Sequence, residues 1–389
     1  MTRVTDKVGF IFISKNTVDL LNYYRLHAAQ AEIICGFRFT RVFRVSLLTL
    51  LSIYSIKTVA KLYLNYQLTI NKLSISFAPI NMNVYKNTEE LPVFKNAVIT
   101  IGTFDGVHLG HMQIIGQLIK EAENVNGTPV LITFYPHPKQ VVASVKKPIF
   151  ILNTPEEKFQ LLHKAGIDNI VVVSFDEAFS NQSALSYISE FLVKKFHPHT
   201  VIIGYDHRFG KDRQGDYKLL EEQADKFGYI VKEIPERILQ DVTISSTRIR
   251  EALLAGDIET ANEFLGYHYF FTGKVVEGNK LGRTIGYPTA NLEVDYEGKL
   301  IPGNAVYAVD VEIEGIDQAF KGMMNIGMRP TVDGTKKMIE VNIFDFDQDI
   351  YGSNVQVSLK KRLRGEVKFN GLDELKAQLG RDKEESLKV

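Results

Sequence analysis

Residues 97–111 read Ala97-Val98-Ile99-Thr100-Ile101-Gly102-Thr103-Phe104-Asp105-Gly106-Val107-His108-Leu109-Gly110-His111. The apolar run Ala97–Ile101, stopped by glycine, predicts a buried strand, and the apolar spacing over 111–123 predicts an amphipathic helix. The residues between them sit where a strand ends and a helix begins. Helix N–H groups point at such a place and favour an anion there. Gly102, Gly106 and Gly110 let backbone approach a ligand closely. His108 and His111, three apart, face one direction. Two histidines alone read more simply as a polar helix start; the strand, glycine and helix setting turns the reading towards nucleotide phosphates.

The same alternation continues downstream. Strands over 129–134, 169–174, 200–203 and 230–234 alternate with helices over 155–165, 184–195 and 217–227. Strands separated by helices of this length imply a parallel sheet with crossover helices, a Rossmann-like α/β arrangement. A helical stretch after Arg250 ends near Leu265, and the texture then changes. From Tyr269 to about Lys368 short β-rich runs are punctuated by Gly, Pro and Asn, the pattern of a small antiparallel β-barrel. Residues 372–379 close the chain as a helix. The expected units are 83–265 (α/β) and 266–389 (β), with the boundary near Gly266.

With 389 residues there is room for two domains at roughly 100–200 residues each. The 46 basic and 46 acidic side chains cancel, and 45% apolar content is ordinary for a globular protein. A disordered chain and a strongly basic nucleic-acid binder are therefore excluded, and no nucleic-acid partner is expected. Cys35 is the one cysteine, which rules out an intramolecular disulfide and a cysteine-rich zinc cluster and fits a reducing cytoplasm. Residues 1–81 carry ten basic against three acidic side chains. Their apolar stretch 45–56 is shorter than the roughly 20 residues of a spanning helix and too far in for a signal peptide. Membrane association is not expected, although a membrane-surface element and a short helical appendage stay open. The favoured reading is an extension translated ahead of a natural start at Met82, where the periodicity becomes regular. Nothing in the sequence speaks to oligomeric state.

Three further clusters carry chemistry. Ile244-Ser245-Ser246-Thr247-Arg248-Ile249-Arg250 follows the first cluster by about 140 residues. It offers three hydroxyls and free backbone N–H groups at a helix start, with Arg250 one turn in, which suits a triphosphate. One helix cap needs only one hydroxyl. Gly273-Lys274-Val275-Val276-Glu277-Gly278 and the following stretch to Asn291 are dense in glycine, with Lys280 and Arg283 able to meet phosphate. They do not form G-x-x-x-x-G-K-[ST], so a standard P-loop is excluded. Alone, Thr289 and Asn291 would read as a turn. Glu340 stands among Ile, Val and Phe in a β-rich run, as suits a general base acting on an alcohol. Alternation alone fits an outward-facing strand residue equally well. Asp345, Asp347 and Asp349 read as a solvated turn.

These motifs carry a resemblance. G-x-F-D-G-x-H-x-G-H over 102–111 resembles the adenylyltransferase module of bacterial bifunctional riboflavin kinase/FAD synthetases, within the nucleotidyltransferase superfamily, and I-S-S-T-x-x-R over 244–250 resembles its second signature. The loops 133–138 and 204–210 are similar to that family's loops, with Asp206 standing where many members carry Asn. Pro288-Thr289-Ala290-Asn291 and the segment 325–331 resemble the riboflavin kinase module. The likeness spans roughly residues 83–385. It implies a cytoplasmic enzyme that phosphorylates riboflavin to FMN with ATP, then adenylylates FMN to FAD with release of pyrophosphate. FMN and FAD would be substrate and product rather than redox cofactors, and Mg²⁺ would accompany ATP. By resemblance Glu340 is the kinase base, and His108, His111 and Arg250 stabilise charge in adenylyl transfer. ATP or its phosphates would meet Gly102, Phe104, Asp105, Gly106, Gly110, Ser245, Ser246 and Thr247 in one module. In the other they would meet Gly273, Lys274, Lys280, Thr289 and Asn291. Thr289 and Asn291 would also hold Mg²⁺ through the phosphates, and His137, Pro138, Asp206 and Arg329 would touch flavin.

Overall fold

Six short strands, β1 (Asn83–Tyr85), β2 (Val98–Ile101), β3 (Pro129–Tyr135), β4 (Asn169–Ser174), β5 (Thr200–Gly204) and β6 (Ile230–Ile234), form one parallel sheet in the order β1-β4-β3-β2-β5-β6. The structure, a computed structural model, describes residues 82–141, 149–234, 244–278, 281–331 and 334–389. The reading of residues 1–81 as an extension, and Lys280, lie outside the described residues. Both faces of the sheet are covered, which is why its strands read as unbroken apolar runs. Ile99, Ile101, Ile132 and Val201 point to one face, where Phe191 and Leu220 cover them. Val98, Leu131, Ile170 and Ile202 point to the other, against Ile115 and Leu118 of α1 (Leu109–Asn124) and Phe159 and Leu162 of α2 (Pro155–Lys164). The chain runs outward from β2 to β3 and β4, then restarts on the other side with β5. This reversal opens a crevice at the strand carboxyl ends, where α/β sheets bind ligands. The loops after β2 and β5 flank it.

The helix expected over 184–195 is instead a π-helix, Tyr187–Val193, between two short α turns. Its buried positions are 187, 188, 191 and 192, and buried Phe196 follows in the next turn. They serve an aromatic cluster in which Tyr187 stacks on Phe209 at 4.8 Å and Phe191 meets Phe179 at 5.0 Å. On the same face lies α3 (Tyr217–Phe227).

Helices α4 (Ser246–Ala255) and α5 (Ile258–Leu265) lead into a closed antiparallel barrel. Its strands are β7 (Phe270–Val276), β8 (Ala290–Glu293), β9 (Ala305–Ile313), β10 (Ala319–Thr331), β11 (Gly334–Ile343) and β12 (Asn354–Arg364), in the order β10-β11-β8-β7-β12-β9. Helix α6 (Leu372–Leu387) follows; the bidentate pair Arg364–Asp382 ties it to β12. Ile249, Leu253, Ile258 and Leu265 of α4 and α5 share one core cluster with Tyr269, Tyr307 and Val341 of the barrel. The helix that carries the second signature thus packs on the barrel, a link invisible to helical periodicity. No helix among the described residues is long and apolar enough to cross a membrane.

A buried lysine joins the sheet region to the barrel. Lys299, fully buried, donates to the Leu152 carbonyl at 2.6 Å, the Glu157 carboxylate at 2.5 Å and the Phe270 carbonyl at 3.0 Å. Ile151 N donates to Gly298 O at 2.8 Å and Leu300 N to Ile151 O at 2.9 Å, so the two segments run together as a short parallel bridge. Removing one member of a buried pair strands the other charge, which costs about 3–5 kcal/mol. Lys299→Met is expected to lower unfolding stability by that amount in a denaturant titration. Adding Glu157→Gln, which keeps the capping-box acceptor for Thr154 N, should recover part of the loss. Equal stability of Lys299→Met and wild type would show that the pair holds nothing together.

Candidate active sites

The loop after β2 turns sharply, with Phe104 and Val107 at φ 47° and 35°, a left-handed conformation that strains a branched residue such as Val. What overrides the strain is Asp105, which this turn buries beneath the loop. Its Oδ1 accepts from Leu152 N at 2.9 Å and its Oδ2 from Arg250 Nη2, while its carbonyl accepts from Ser246 Oγ at 2.9 Å. Two signatures some 140 residues apart in sequence are thereby clamped together. Arg250 also donates Nε to the Phe150 carbonyl at 2.8 Å, so Nη1 makes none of these bonds.

His108 caps α1: its Nδ1 accepts from His111 N at 3.4 Å, which leaves the proton on Nε2. The two rings stack at 3.7 Å. Burial pushes His108 down to about 4, helped by the Arg250 guanidinium, and burial pushes His111 well below its ordinary value, helped by His108 and Lys158. Both are neutral donors near pH 7. His111 Nδ1 is buried without a partner among the described residues. His137, after β3, is lowered to about 4 by burial, with Asp105 opposing and Arg250 and Lys158 adding to the shift, so it faces the same group of charges. Pro138 opens the short helix that follows it.

The hydroxyl cluster is partly spent inside the chain. Ser245 is the N-cap of α4, accepting from Arg248 N, Ser246 is bound to Asp105, and Thr247 is exposed. The glycines differ from expectation in a related way. A Cβ on Gly102, Gly106 or Gly110 would meet Phe104, Leu152 or the His108 ring, at 3.0, 2.6 and 3.2 Å respectively. The room they make is filled by the chain's own side chains. Asp206 lies exposed in the loop after β5. Lys158, on α2, was not anticipated: Pro155-Glu156-Glu157-Lys158 reads as an ordinary polar helix start. Its ammonium bonds Thr103 O at 3.2 Å and Thr133 Oγ1 at 3.1 Å, at the carboxyl ends of β2 and β3.

A second site lies against the barrel wall, a cavity of about 460 Å³. Its lining mixes apolar side chains, Met324, Val367, Phe369 and Leu375, with polar ones, Thr289, Asn325, Glu340 and Asn342. Glu340 and Asn342, two apart on β11, share a face, so the strand alternation left open in the sequence resolves towards the cavity. Glu340 lies opposite Asn291 on β8 and opposite Asn325 on β10. Asn291 is buried, with Oδ1 unpartnered among the described residues, and its amide occupies the space a Cβ on Gly278 would need, 2.0 Å away. Gly273 is packed under Leu292, and Lys274 is exposed opposite Glu293. Arg329 lies on β10, opposite Lys336. Asn325 opens the segment 325–331 already singled out, whereas Asn342 was missed because an Asn in a strand carries no motif of its own.

Five imidazoles have pKa values lowered by burial: His108, His137, His207 and His268 to about 4, and His111 well below its ordinary value. Unfolded, each would bind a proton below about 6.5. Between about 6.5 and 4 the unfolded state therefore holds more protons, and stability rises with pH across that window. The thermal midpoint is expected to fall steadily as pH drops from 6.5 to 4.5. A flat profile there would mean that these rings ionise freely in the fold.

A family model described as FAD synthetase matches residues 91–248, and one described as riboflavin kinase matches residues 265–389. A bifunctional riboflavin kinase/FMN adenylyltransferase of Haemophilus influenzae is 38% identical over 292 residues, 75% of this chain and 94% of that protein. The protein of the same description from Bacillus subtilis is 38% identical over 297 residues, 75% of this chain and 92% of its own. A crystal structure from Streptococcus pneumoniae described as a macrolide-efflux protein superposes with a TM-score of 0.71 at 32% identity, covering 80% of this chain and 100% of that one.

Proposed function

The chain belongs to the family of bifunctional riboflavin kinase/FMN adenylyltransferases, and on that premise we propose how its two reactions are divided. It phosphorylates riboflavin to FMN with ATP and adenylylates FMN to FAD. The barrel cavity carries the first reaction and the strand-end site the second, in units 83–265 and 266–389. The observation that carries this division is that Glu340 and Asn291 lie opposite each other in the barrel wall, whereas Ser246 and Arg250 reach Asp105 at the end of β2.

In the cavity against the barrel, the apolar lining residues suit the flat flavin ring, and the polar ones suit the ribityl chain. Glu340 takes the proton of the terminal hydroxyl as its oxygen bonds to the γ-phosphorus of ATP. Thr289 and Asn291 would hold Mg²⁺ together with the phosphates. The unpartnered Asn291 Oδ1 fits that assignment, because Mg²⁺ takes few protein oxygens and shares the rest of its shell with phosphate and water. When bound, the ion neutralises phosphate charge.

At the strand ends no protein nucleophile is needed. A phosphate oxygen of FMN attacks the α-phosphorus of ATP, and pyrophosphate leaves. Neutral His108 and His111 donate hydrogen bonds to the oxygens that gain charge, and Arg250, held by Asp105, presents its remaining N–H groups. His137, Pro138, Asp206 and Arg329 are the proposed flavin contacts, and the cytoplasm is the proposed compartment. Incubation with riboflavin and MgATP, followed by chromatography, should yield FMN first and FAD after it. FAD formed from FMN alone, with no FMN formed from riboflavin, would overturn the barrel assignment.

A further inference from the structure

Lys158 holds a position that neither signature motif accounts for. It lies on the first turn of α2, and its ammonium reaches across to the ends of β2 and β3. Thr133 Oγ1 in turn donates to Thr103 O at 3.1 Å, so the lysine is seated on a small fixed network. Both its partners are neutral oxygens. Among the described residues no carboxylate is in salt-bridge contact with it, in contrast to Lys299, which is buried against Glu157. An ammonium has three donors, and two are used here. Lys158 is half-buried, and a charge partly removed from water without an opposite charge in contact carries a cost that an anionic ligand would offset.

The surroundings say which anion. The titratable groups facing Lys158 are Asp105 from the loop before α1, His111 from α1 and His137 from the end of β3. Asp105 is already committed to Arg250 and to Leu152 N. The histidines are neutral, so two cations, Lys158 and Arg250, stand against one carboxylate, Asp105, and the local charge is net positive.

We propose that Lys158 is a further catalytic residue of FAD formation, binding the ATP phosphate oxygens that depart as pyrophosphate. The assignment rests on the strand-end site being the adenylylation site. In the step, an oxygen of the FMN phosphate forms a bond to the α-phosphorus. The bond from that phosphorus to the bridging oxygen breaks, and pyrophosphate leaves with the electron pair. The ammonium stabilises the negative charge gained by the leaving group, and in reverse it captures pyrophosphate.

The test uses the full chain as wild type, Lys158→Met and His111→Ala. FAD formation from FMN and ATP, the reverse reaction of FAD with pyrophosphate, and riboflavin phosphorylation are measured on each. Lys158→Met should lower FAD formation by roughly 10²-fold, the scale of a lost preorganised contact, and lower kcat/KM for pyrophosphate comparably. Riboflavin phosphorylation in the same sample should stay at the wild-type rate, which reports an intact fold. Burial lowers the lysine to about 8, with Asp105 opposing, so wild-type kcat/KM for ATP should fall as pH rises through that value. The variant should lack this alkaline limb. FAD formation within threefold of wild type in Lys158→Met, with His111→Ala inactive, would sink the proposal and leave the site standing. Near-normal activity in both variants would sink the site assignment itself. Parallel loss of riboflavin phosphorylation and FAD formation in Lys158→Met would mark the lysine as structural and also overturn the proposal.

Discussion

Replacing Glu340 by Gln is expected to slow riboflavin phosphorylation by roughly 10²–10⁴-fold, the range of a lost general base, and to leave FMN adenylylation near the wild-type rate. The substitution keeps size and hydrogen-bonding capacity and removes only basicity. Ile339 and Val341 on either side point into the core cluster that also holds Ile249 and Leu253 of the helix bearing Arg250. Glu340 alternates away from them into the cavity, so its replacement should not disturb that shared core. An unchanged thermal midpoint checks this before rates are compared. Loss of both activities in a well-folded variant would mean that the barrel wall and the strand-end site are coupled through α4 and α5. Loss of neither would leave Glu340 as a strand residue and require another base.

His111→Ala should reduce FMN-to-FAD conversion by roughly 10²-fold or more, since it removes a preorganised donor from a buried site. It is a cleaner probe than His108→Ala, because the His108 ring also caps α1 and its loss would cost about 1 kcal/mol of helix stability in addition. The pH profile separates two ways in which a histidine can act. With burial holding His108 at about 4 and His111 well below its ordinary value, neither ring changes charge near pH 6.5. Adenylylation by wild type should therefore show no loss as pH rises from 5.5 to 7. A loss centred near 6.5 would show that an imidazolium is the working form.

Much of the architecture was legible because its signals are local. A buried parallel strand must be apolar on both faces, and Val98–Ile101 and Asn169–Ser174 state this without reference to anything else. The 187–193 segment was misread because an apolar count over a dozen residues hardly separates a turn of 3.6 residues from a wider one. Strand β8, which begins within the motif Pro288–Asn291 and runs on to Glu293, was not read, since four residues have too little alternation to announce a strand.

The candidate sites divide along the same line. His108, His111, Thr289 and Asn291 were found because chemistry concentrated over a few residues leaves a motif. Lys158 and Asn342 were not, since each comes from its own strand or helix and only the fold brings it to the site. The order of strands and helices, the two-part organisation and the motif residues were determined by the sequence alone, through periodicity and spacing within a dozen residues. Tertiary structure decided that Ser246 and Ser245 are spent on Asp105 and a helix cap, that α4 belongs to the barrel's core, and that Glu340 faces a cavity. The reason is physical. Hydrogen-bond partners and burial depend on groups about 140 residues away, and no local pattern carries the position of a partner that distant.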